Sequence, residues 1–187
     1  MAQTNQNIIE FFNIAQSREF SRDFLFRVED IQFQSGLRVG PQELIYARSA
    51  QLPARTITNV TVPYMGLPLN IPGIVQYGSS EGLGIEFYTD ENSNLRKMFE
   101  DEGRRVFDEV TSIGEYGVPG AQSRMTLMQL NRRLEPVSKY VLIGCSIRNV
   151  GELSYTMAEG TGQPVFFNVT IAYHFFARET VDSGLGN

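Results

Sequence analysis

Ser80 and His174 are the two residues whose types and sequence setting most resemble a catalytic pair. Ser80 lies in Gly78-Ser79-Ser80-Glu81-Gly82, which satisfies the G-x-S-x-G pattern of serine hydrolases, and His174 is the only histidine. In that pattern the serine stands on a sharp turn between a strand and a helix. The alternating segment Leu83–Tyr88 predicts a strand after the motif, so Ser80 is expected in a hairpin turn. A serine esterase is kept only as an alternative function.

The single histidine and the single cysteine limit the metal and redox chemistry of the chain. Cys145 has no second cysteine to pair with, and one Cys with one His cannot build a zinc site of the usual composition. Cys145 lies in an apolar strand with no adjacent cation, which is typical of a buried, unreactive thiol. His174 alternates with Tyr173 and Phe175, which favours a structural role. We therefore predict no catalytic residue, no metal site and no cofactor.

Two further motifs imitate ligand sites. Asp90-Glu91-Asn92-Ser93-Asn94 opens like a calcium loop, but Leu95 stands where glycine is needed and Asp101 where glutamate is preferred. The same acids suit the positive end of a helix, which helical spacing predicts over residues 95–102 with Gly103 as its stop. Gly82-Leu83-Gly84 lacks the third glycine of a dinucleotide loop and precedes a strand. Neither motif supports a ligand site.

Composition restricts the class of protein further. The chain has 187 residues, 21 acidic and 16 basic, with a net charge of -5 and a mean hydropathy of -0.19. An acidic chain without clustered cations is a poor candidate for gripping nucleic acid or anionic lipid. Its apolar runs fall far short of the roughly 20 residues that span a bilayer, and the N-terminus lacks the features of a signal peptide, so no membrane anchor is expected.

The pattern of apolar residues predicts a mainly β (α+β) sandwich or barrel in one domain over residues 1–187. Strand alternation beginning at Phe24 resumes out of phase at Ile31, which predicts a bulge near Glu29 and Asp30. The other predictions are an N-terminal helix over 5–16, one short crossover helix, strands over 140–147 and 165–176, an insertion or extended loop over 104–136 in which 125–133 is a strand or a helix, and a flexible tail over 178–187.

The segment Pro63–Gly73 combines three prolines with several large apolar residues. Prolines exclude a helix and the centre of a sheet, so the segment is predicted to be an extended loop or an edge hairpin. Its apolar side chains must pack on the chain's own core or on a partner, since exposed apolar patches commonly mark contacts.

Several segments, in order along about two thirds of the chain, resemble the tail tube proteins of contractile-tailed bacteriophages. Asn149-Val150-Gly151-Glu152-Leu153 is the most specific of them, and the region 104–136 departs from the shorter members of that family. The similar segments are Ser17–Arg22 leading into Phe24–Glu29, Ala50–Ala54, Val62–Gly66, Asp90–Asn92 before the helix at Leu95–Phe99, and Asn149–Leu153 followed by the strand that ends at Phe176.

The resemblance implies a β-sandwich subunit of the virion, made in the host cytoplasm, that closes into hexameric rings. The rings would stack into the inner tube of the tail, with the loop after the second strand reaching the adjacent ring. Tail sheath, tape measure and baseplate proteins would be its partners, and DNA would pass through the lumen without specific binding. The contact residues implied in this chain are Tyr64, Met65, Leu67, Leu69, Ile71, Ile74 and Tyr77.

Two relatives with the same architecture are alternatives to the repeating tube subunit. A baseplate tube-initiator or a tail-terminator protein would form only one ring, and the inner tube protein of a type VI secretion system shares less of its sequence with this chain.

Overall fold

The computed structural model describes residues 21–78, 82–157, 160 and 162–180, together with 8, 12 and 13. The helix expected over 5–16 lies outside the described residues, apart from those three positions, as do Ser80 and the last seven residues of the expected tail.

Eleven strands and two helices make up the described part of the chain. The strands are β1 (Phe26–Gln32), β2 (Arg38–Val39), β3 (Ala47–Ala50), β4 (Arg55–Tyr64), β5 (Leu67–Tyr77), β6 (Leu83–Tyr88), β7 (Arg124–Leu130), β8 (Pro136–Ile143), β9 (Ser146–Val150), β10 (Phe166–Ala172) and β11 (Phe175–Thr180). The helices are the single turn α1 (Pro41–Leu44) and the longer α2 (Asn94–Val106). The predicted mainly β fold with one substantial helix is confirmed.

Two antiparallel sheets share one hydrophobic core. The first has the strand order β11-β8-β7-β1-β2 and the second β3-β6-β10-β9. Alternating positions place one face of each sheet inside, as the sequence predicted for β6 and β10. Phe99 of α2 packs its ring 5.4 Å from that of Phe87 and 6.5 Å from that of Phe167, closing the core. Fully buried residues at the centre are Ile31, Ile85, Met125, Leu142, Val169 and Ile171.

The predicted bulge in the first strand is confirmed. The pairing of β1 with β7 shifts register between Val28 and Asp30. The extra residue lets Val28 and Ile31 both face the core although three positions separate them, because a bulge reverses the side-chain alternation.

The long strand predicted over 165–176 is interrupted by a corner at Tyr173 and His174. β10 belongs to the four-stranded sheet and β11 to the five-stranded one, so the chain changes sheet at that point. The strand predicted over 140–147 breaks beside it, at Gly144, which has a φ of +71°. The backbone N–H of His174 donates to the Ile143 carbonyl at 2.9 Å, and a Cβ on Gly144 would overlap the His174 ring.

Helix α2 continues one turn beyond its expected end. Gly103 lies inside the helix instead of ending it, and the space next to its Cα is open. Arg105 stabilises the added turn, because it pairs with Glu102 at 3.8 Å and its charge suits the helix C-terminus. At the other end the Asp90 carboxylate accepts the backbone N–H groups of Asn94 and Leu95 at 2.9 and 3.3 Å. The acidic run therefore lies at the start of a helix and caps it, as predicted from its sequence.

Two predicted irregular regions contain regular structure. The region 104–136 is an extended loop only over 107–123, because it begins with the last turn of α2 and contains all of β7. The uncertain stretch 125–133 is strand to Leu130, followed by a turn. The tail predicted to begin at residue 178 was placed too early, since Arg178 pairs with Tyr140 and Glu179 with Lys139 in the sheet.

Replacing Gly144 with alanine should destabilise the corner. The positive φ and the overlap with His174 are expected to lower the free energy of unfolding by about 2 kcal/mol. Gly103→Ala is the matched control, because its Cβ would enter open space on a helix and should raise the free energy by up to about 1 kcal/mol. Denaturant titration measures both values. Equal stabilities for the two variants would contradict this account of the corner.

Candidate interaction surface

Strands β4 and β5 form a two-stranded hairpin separate from the two core sheets. Its turn, Met65-Gly66, has φ values of +49° and +82°, as a type I′ turn requires at both central positions. The apolar, proline-containing segment is thus the outer half of a long hairpin, one of the two forms predicted from its sequence.

One face of the outer hairpin is entirely apolar. Cross-strand partners share a face, and the pairs Val60 with Ile71, Val62 with Leu69, and Tyr64 with Leu67 stand on the same side. Their side chains are between 41% and 67% exposed, and Met65 at the turn reaches 87%. The described protein leaves this face largely uncovered. An uncovered apolar face of this kind is typical of a contact surface.

The opposite face of the hairpin is polar or proline. It carries the pairs Asn59 with Pro72, Thr61 with Asn70, and Pro63 with Pro68. The Thr61 hydroxyl donates to the Asn70 side-chain oxygen at 2.9 Å, so these two polar side chains pair with each other across the hairpin. The two faces differ in character, so a partner would bury one and leave the other in water.

The prolines also determine what the hairpin edges can do. Because Pro63 and Pro68 have no N–H, their pair must occupy a non-hydrogen-bonded position, where the backbone nitrogens point away from the partner strand. At these positions the hairpin offers no outward N–H to an added strand. Prolines on exposed edges block extension of a sheet. Strand addition at this end of the hairpin is therefore disfavoured, whereas the apolar face stays exposed.

A bulge between Ile57 and Asn59 separates the outer hairpin from its base. The Thr58 hydroxyl donates to the Ile74 carbonyl at 2.9 Å, and a Cβ on Gly73 would approach the Thr58 carbonyl oxygen to 2.9 Å and a Val60 methyl to 2.8 Å. Glycine is needed at position 73 because the backbone and the Val60 side chain fill that space.

Aromatic packing fixes the base of the hairpin to the body. The Tyr77 ring lies 5.5 Å from Phe176 in an edge-on arrangement and 6.5 Å from Phe175, both on β11. The guanidinium of Arg55 lies 5.9 Å from the Tyr77 ring on the other strand, and Gly78 donates its N–H to the Ala54 carbonyl at 3.0 Å. Tyr77, expected in the contact set, is half buried against its own chain and acts as an anchor.

The structure brings together most of the residues predicted for the contact. Tyr64, Leu67, Leu69 and Ile71 lie on the apolar face, Met65 forms the tip, and Ile74 is exposed beside the bulge. Sequence analysis missed Val60 and Val62. The alternation of Val60, Thr61 and Val62 is a signal in the sequence that could have identified them.

A second exposed apolar patch lies on the loop between α2 and β7. It belongs to the loop 107–123, where Val110 and Val118 are 91% and 79% exposed. The patch also contains Phe107, Ile113 and Tyr116. Hydrogen bonds from Thr111 and the Val110 N–H to the Asp108 carboxylate shape the loop and lower the pKa of Asp108, the Thr111 bond having the larger effect.

The residues considered for chemistry do not form a described reactive site. Cys145 is buried, and desolvation raises the pKa of its thiol to about 12. His174 is exposed at the corner beside Gly144, and Ser80 lies outside the described residues. Within the described ranges, no three His, Cys, Asp or Glu side chains are grouped to hold a metal ion. No helix there is long and apolar enough to cross a bilayer.

The Cys145 thiol should resist modification in the folded protein. A thiolate is the reacting species, and burial together with the raised pKa should slow its reaction with a disulfide reagent at pH 8 by at least about a hundredfold relative to the unfolded chain. Absorbance of the released thiol, with and without denaturant, measures both rates. Rapid reaction of the native protein would show that Cys145 is accessible.

Comparison with known proteins identifies the fold without a sequence relative. No protein-family profile matches the chain, and no curated protein matches it. A chain from the anti-feeding prophage (AFP) baseplate superimposes with a TM-score of 0.61 at 16% identity, covering 88% of this chain and 99% of that one. A chain from the AFP tube terminating cap gives 0.61 at 10% identity, covering 88% and 93%. A chain from the PVC sheath/tube terminator, of an extracellular contractile injection system, gives 0.58 at 10% identity, covering 87% and 99%.

Proposed function

We propose that this chain is a structural subunit of a contractile injection apparatus, whose copies close into hexameric rings that stack into the inner tube of a phage tail. The observation that carries the proposal is the apolar face of the β4–β5 hairpin, exposed on an arm whose base is anchored to the body. In the tube the hairpin face is buried against a subunit of the adjacent ring.

The hairpin has a physical need for such a cover. A two-stranded hairpin is marginally stable in water, and this one presents six apolar side chains on one face without a third strand or a helix above them. Between residues 56 and 77 the sequence has no charged residue, so burial of the hairpin would leave no charged side chain unpaired in an apolar contact. Repetition of the contact around a ring would multiply a modest affinity.

The fold supports a ring-forming role. The three matched structures are parts of contractile injection particles, and the AFP baseplate was solved with sixfold symmetry. At such low sequence identity the superposition shows a shared fold and no more. We infer the assembly of this chain from that fold together with the exposed hairpin face. Sheath, tape measure and baseplate proteins are the partners that such a subunit would meet in the virion.

Charge supports passage of DNA without capture. The net charge of -5 would leave a tube of many copies strongly acidic, and a wall of that sign repels phosphates. A non-enzymatic, structural role also agrees with the burial of Cys145.

The esterase alternative requires Ser80 to react, so failure of a fluorophosphonate probe to label the native protein is expected.

A second candidate is a protein that forms a single ring, as a baseplate tube-initiator or a tail terminator. The observation that favours it is the source of the matched structures, which come from a baseplate, a tube cap and a sheath/tube terminator. The two candidates differ in product, because a repeating subunit alone should form open-ended tubes and an end component should stop at one ring.

Substituting the apolar hairpin face should abolish stacking. In the triple variant Val62→Thr, Leu69→Thr, Ile71→Thr we expect single rings or monomers where the natural chain forms tubes, because the buried apolar area is lost. The thermal midpoint should change little, since these side chains are exposed in the single chain. Negative-stain microscopy and sedimentation measure assembly, and circular dichroism measures stability.

The polar face supplies the matched control. The triple variant Asn59→Ser, Thr61→Ser, Asn70→Ser alters the same hairpin on the side expected to stay in water, and it should assemble as the natural chain does. Tubes of normal length from the apolar-face variant would contradict the proposal. Single rings from the natural chain would select the end-component candidate.

A further inference from the structure

A groove of about 500 Å³ lined mainly by apolar side chains lies between the start of β1 and α1. The start of β1 forms one wall, and α1 with the residue after it forms the other. Phe24 and Ile45 at its rim are 65% and 79% exposed, whereas Leu44 in its floor is buried. The apolar side chains that define it are Phe24, Phe26, Leu44, Ile45 and Leu130.

The positions of groove and hairpin suit a head-to-tail contact. The hairpin base packs on β11, at one edge of the five-stranded sheet, and the groove is lined by β1, three strands away in the same sheet. Two different surfaces of one chain form a heterologous contact, which repeats from copy to copy instead of closing as a twofold dimer. Stacked rings require a contact of this type.

The groove and the hairpin tip also agree in chemistry. Arg27 is the single charged residue that lines the groove, and within the described chain it has no ion-pair partner. The tip brings no charge, and its Tyr64 offers an aromatic face of the kind that Arg48, Arg55 and Arg178 already contact in this protein. A guanidinium held against an aromatic ring needs no carboxylate.

Shape distinguishes the groove from the other exposed apolar surface. The loop patch at Val110 and Val118 protrudes into solvent, and so does the hairpin tip at Met65. Two protruding surfaces bury little area against each other, whereas the groove is concave and wide enough for the side chains of Tyr64, Met65 and Leu67.

We propose that the hairpin tip of one copy inserts into the groove beside Ile45 of a second copy in the next ring. This inference rests on the proposed stacking function and adds the surface that receives the hairpin. In the contact, Met65 and Leu67 fill the space between Phe24, Phe26 and Ile45, and Tyr64 packs against Arg27.

Chemical crosslinking of the full chain tests the contact directly. The double variant Met65→Cys, Ile45→Cys is treated with a short bis-maleimide, to which the buried Cys145 should not respond. Insertion in trans predicts a ladder of covalent multimers on a denaturing gel. The control Met65→Cys, Met157→Cys keeps the same tip cysteine and moves the other to a fully exposed site outside the groove. Its multimers should be at least about tenfold weaker.

The possible results separate this inference from the proposed function. Rings or tubes without a ladder would overturn the groove contact and leave self-assembly standing. A ladder without tubes would support the contact and refute the tube. A bridged product of single-chain mass would show that the tip folds onto its own groove and overturn the inference, and a persistent monomer without crosslinks would overturn both.

A second variant checks the groove without cysteines. Ile45→Asp places a charge at the exposed rim, where it should not affect folding but should lower the assembled fraction at least about tenfold. Met157→Asp carries the same charge at another exposed position and should assemble normally. Normal tubes from Ile45→Asp would overturn the groove contact.

Discussion

The passage of one strand from the four-stranded sheet to the five-stranded sheet at Tyr173 and His174 is the constraint on which the rest of the structure depends. It joins the two halves of the core covalently and places Phe175 and Phe176 immediately beyond the corner. Those two rings are the support for Tyr77 at the hairpin base. Burial raises the pKa of the neighbouring Tyr173 phenol, and the backbone of Ala54, at the start of the hairpin, partly offsets this rise. The corner therefore holds both the sandwich and the arm that extends from it.

Most of the strands could be predicted because each has one wet and one dry face. Alternation alone identified β6, the inward face of β10 and the bulge in β1. A half-buried strand has apolar residues at every second position, and this pattern can be seen in the sequence. The corner at Tyr173 and His174 does not interrupt this pattern in the sequence. Residues 165–176 alternate without interruption, and the change of sheet depends on the distant Gly144, so it is a tertiary property. Gly103 was a misleading stop signal, because one glycine inside a helix costs only about 1 kcal/mol and does not by itself end the helix.

The candidate interaction surface was predictable in part. Its apolar residues and prolines indicated a loop or an edge hairpin. The sequence could not show which of these residues share a face, because that depends on the pairing register of β4 and β5. Register also separates Tyr77, which anchors, from Tyr64, which faces solvent. The groove left no sequence signal at all. Its walls come from β1 and α1, which are close in sequence, and from the end of β7, which is distant in sequence and meets them only in the folded chain.

Prolines on the hairpin edges affect how the free chain can aggregate. A bare two-stranded arm rich in β-branched residues is the kind of segment that seeds fibrils by adding strand to strand. Pro63, Pro68 and Pro72 interrupt the edges along which such growth would proceed, while the apolar face stays open. Strand addition along these edges is therefore disfavoured, so the free chain is protected from one route to fibrils although its apolar face stays exposed.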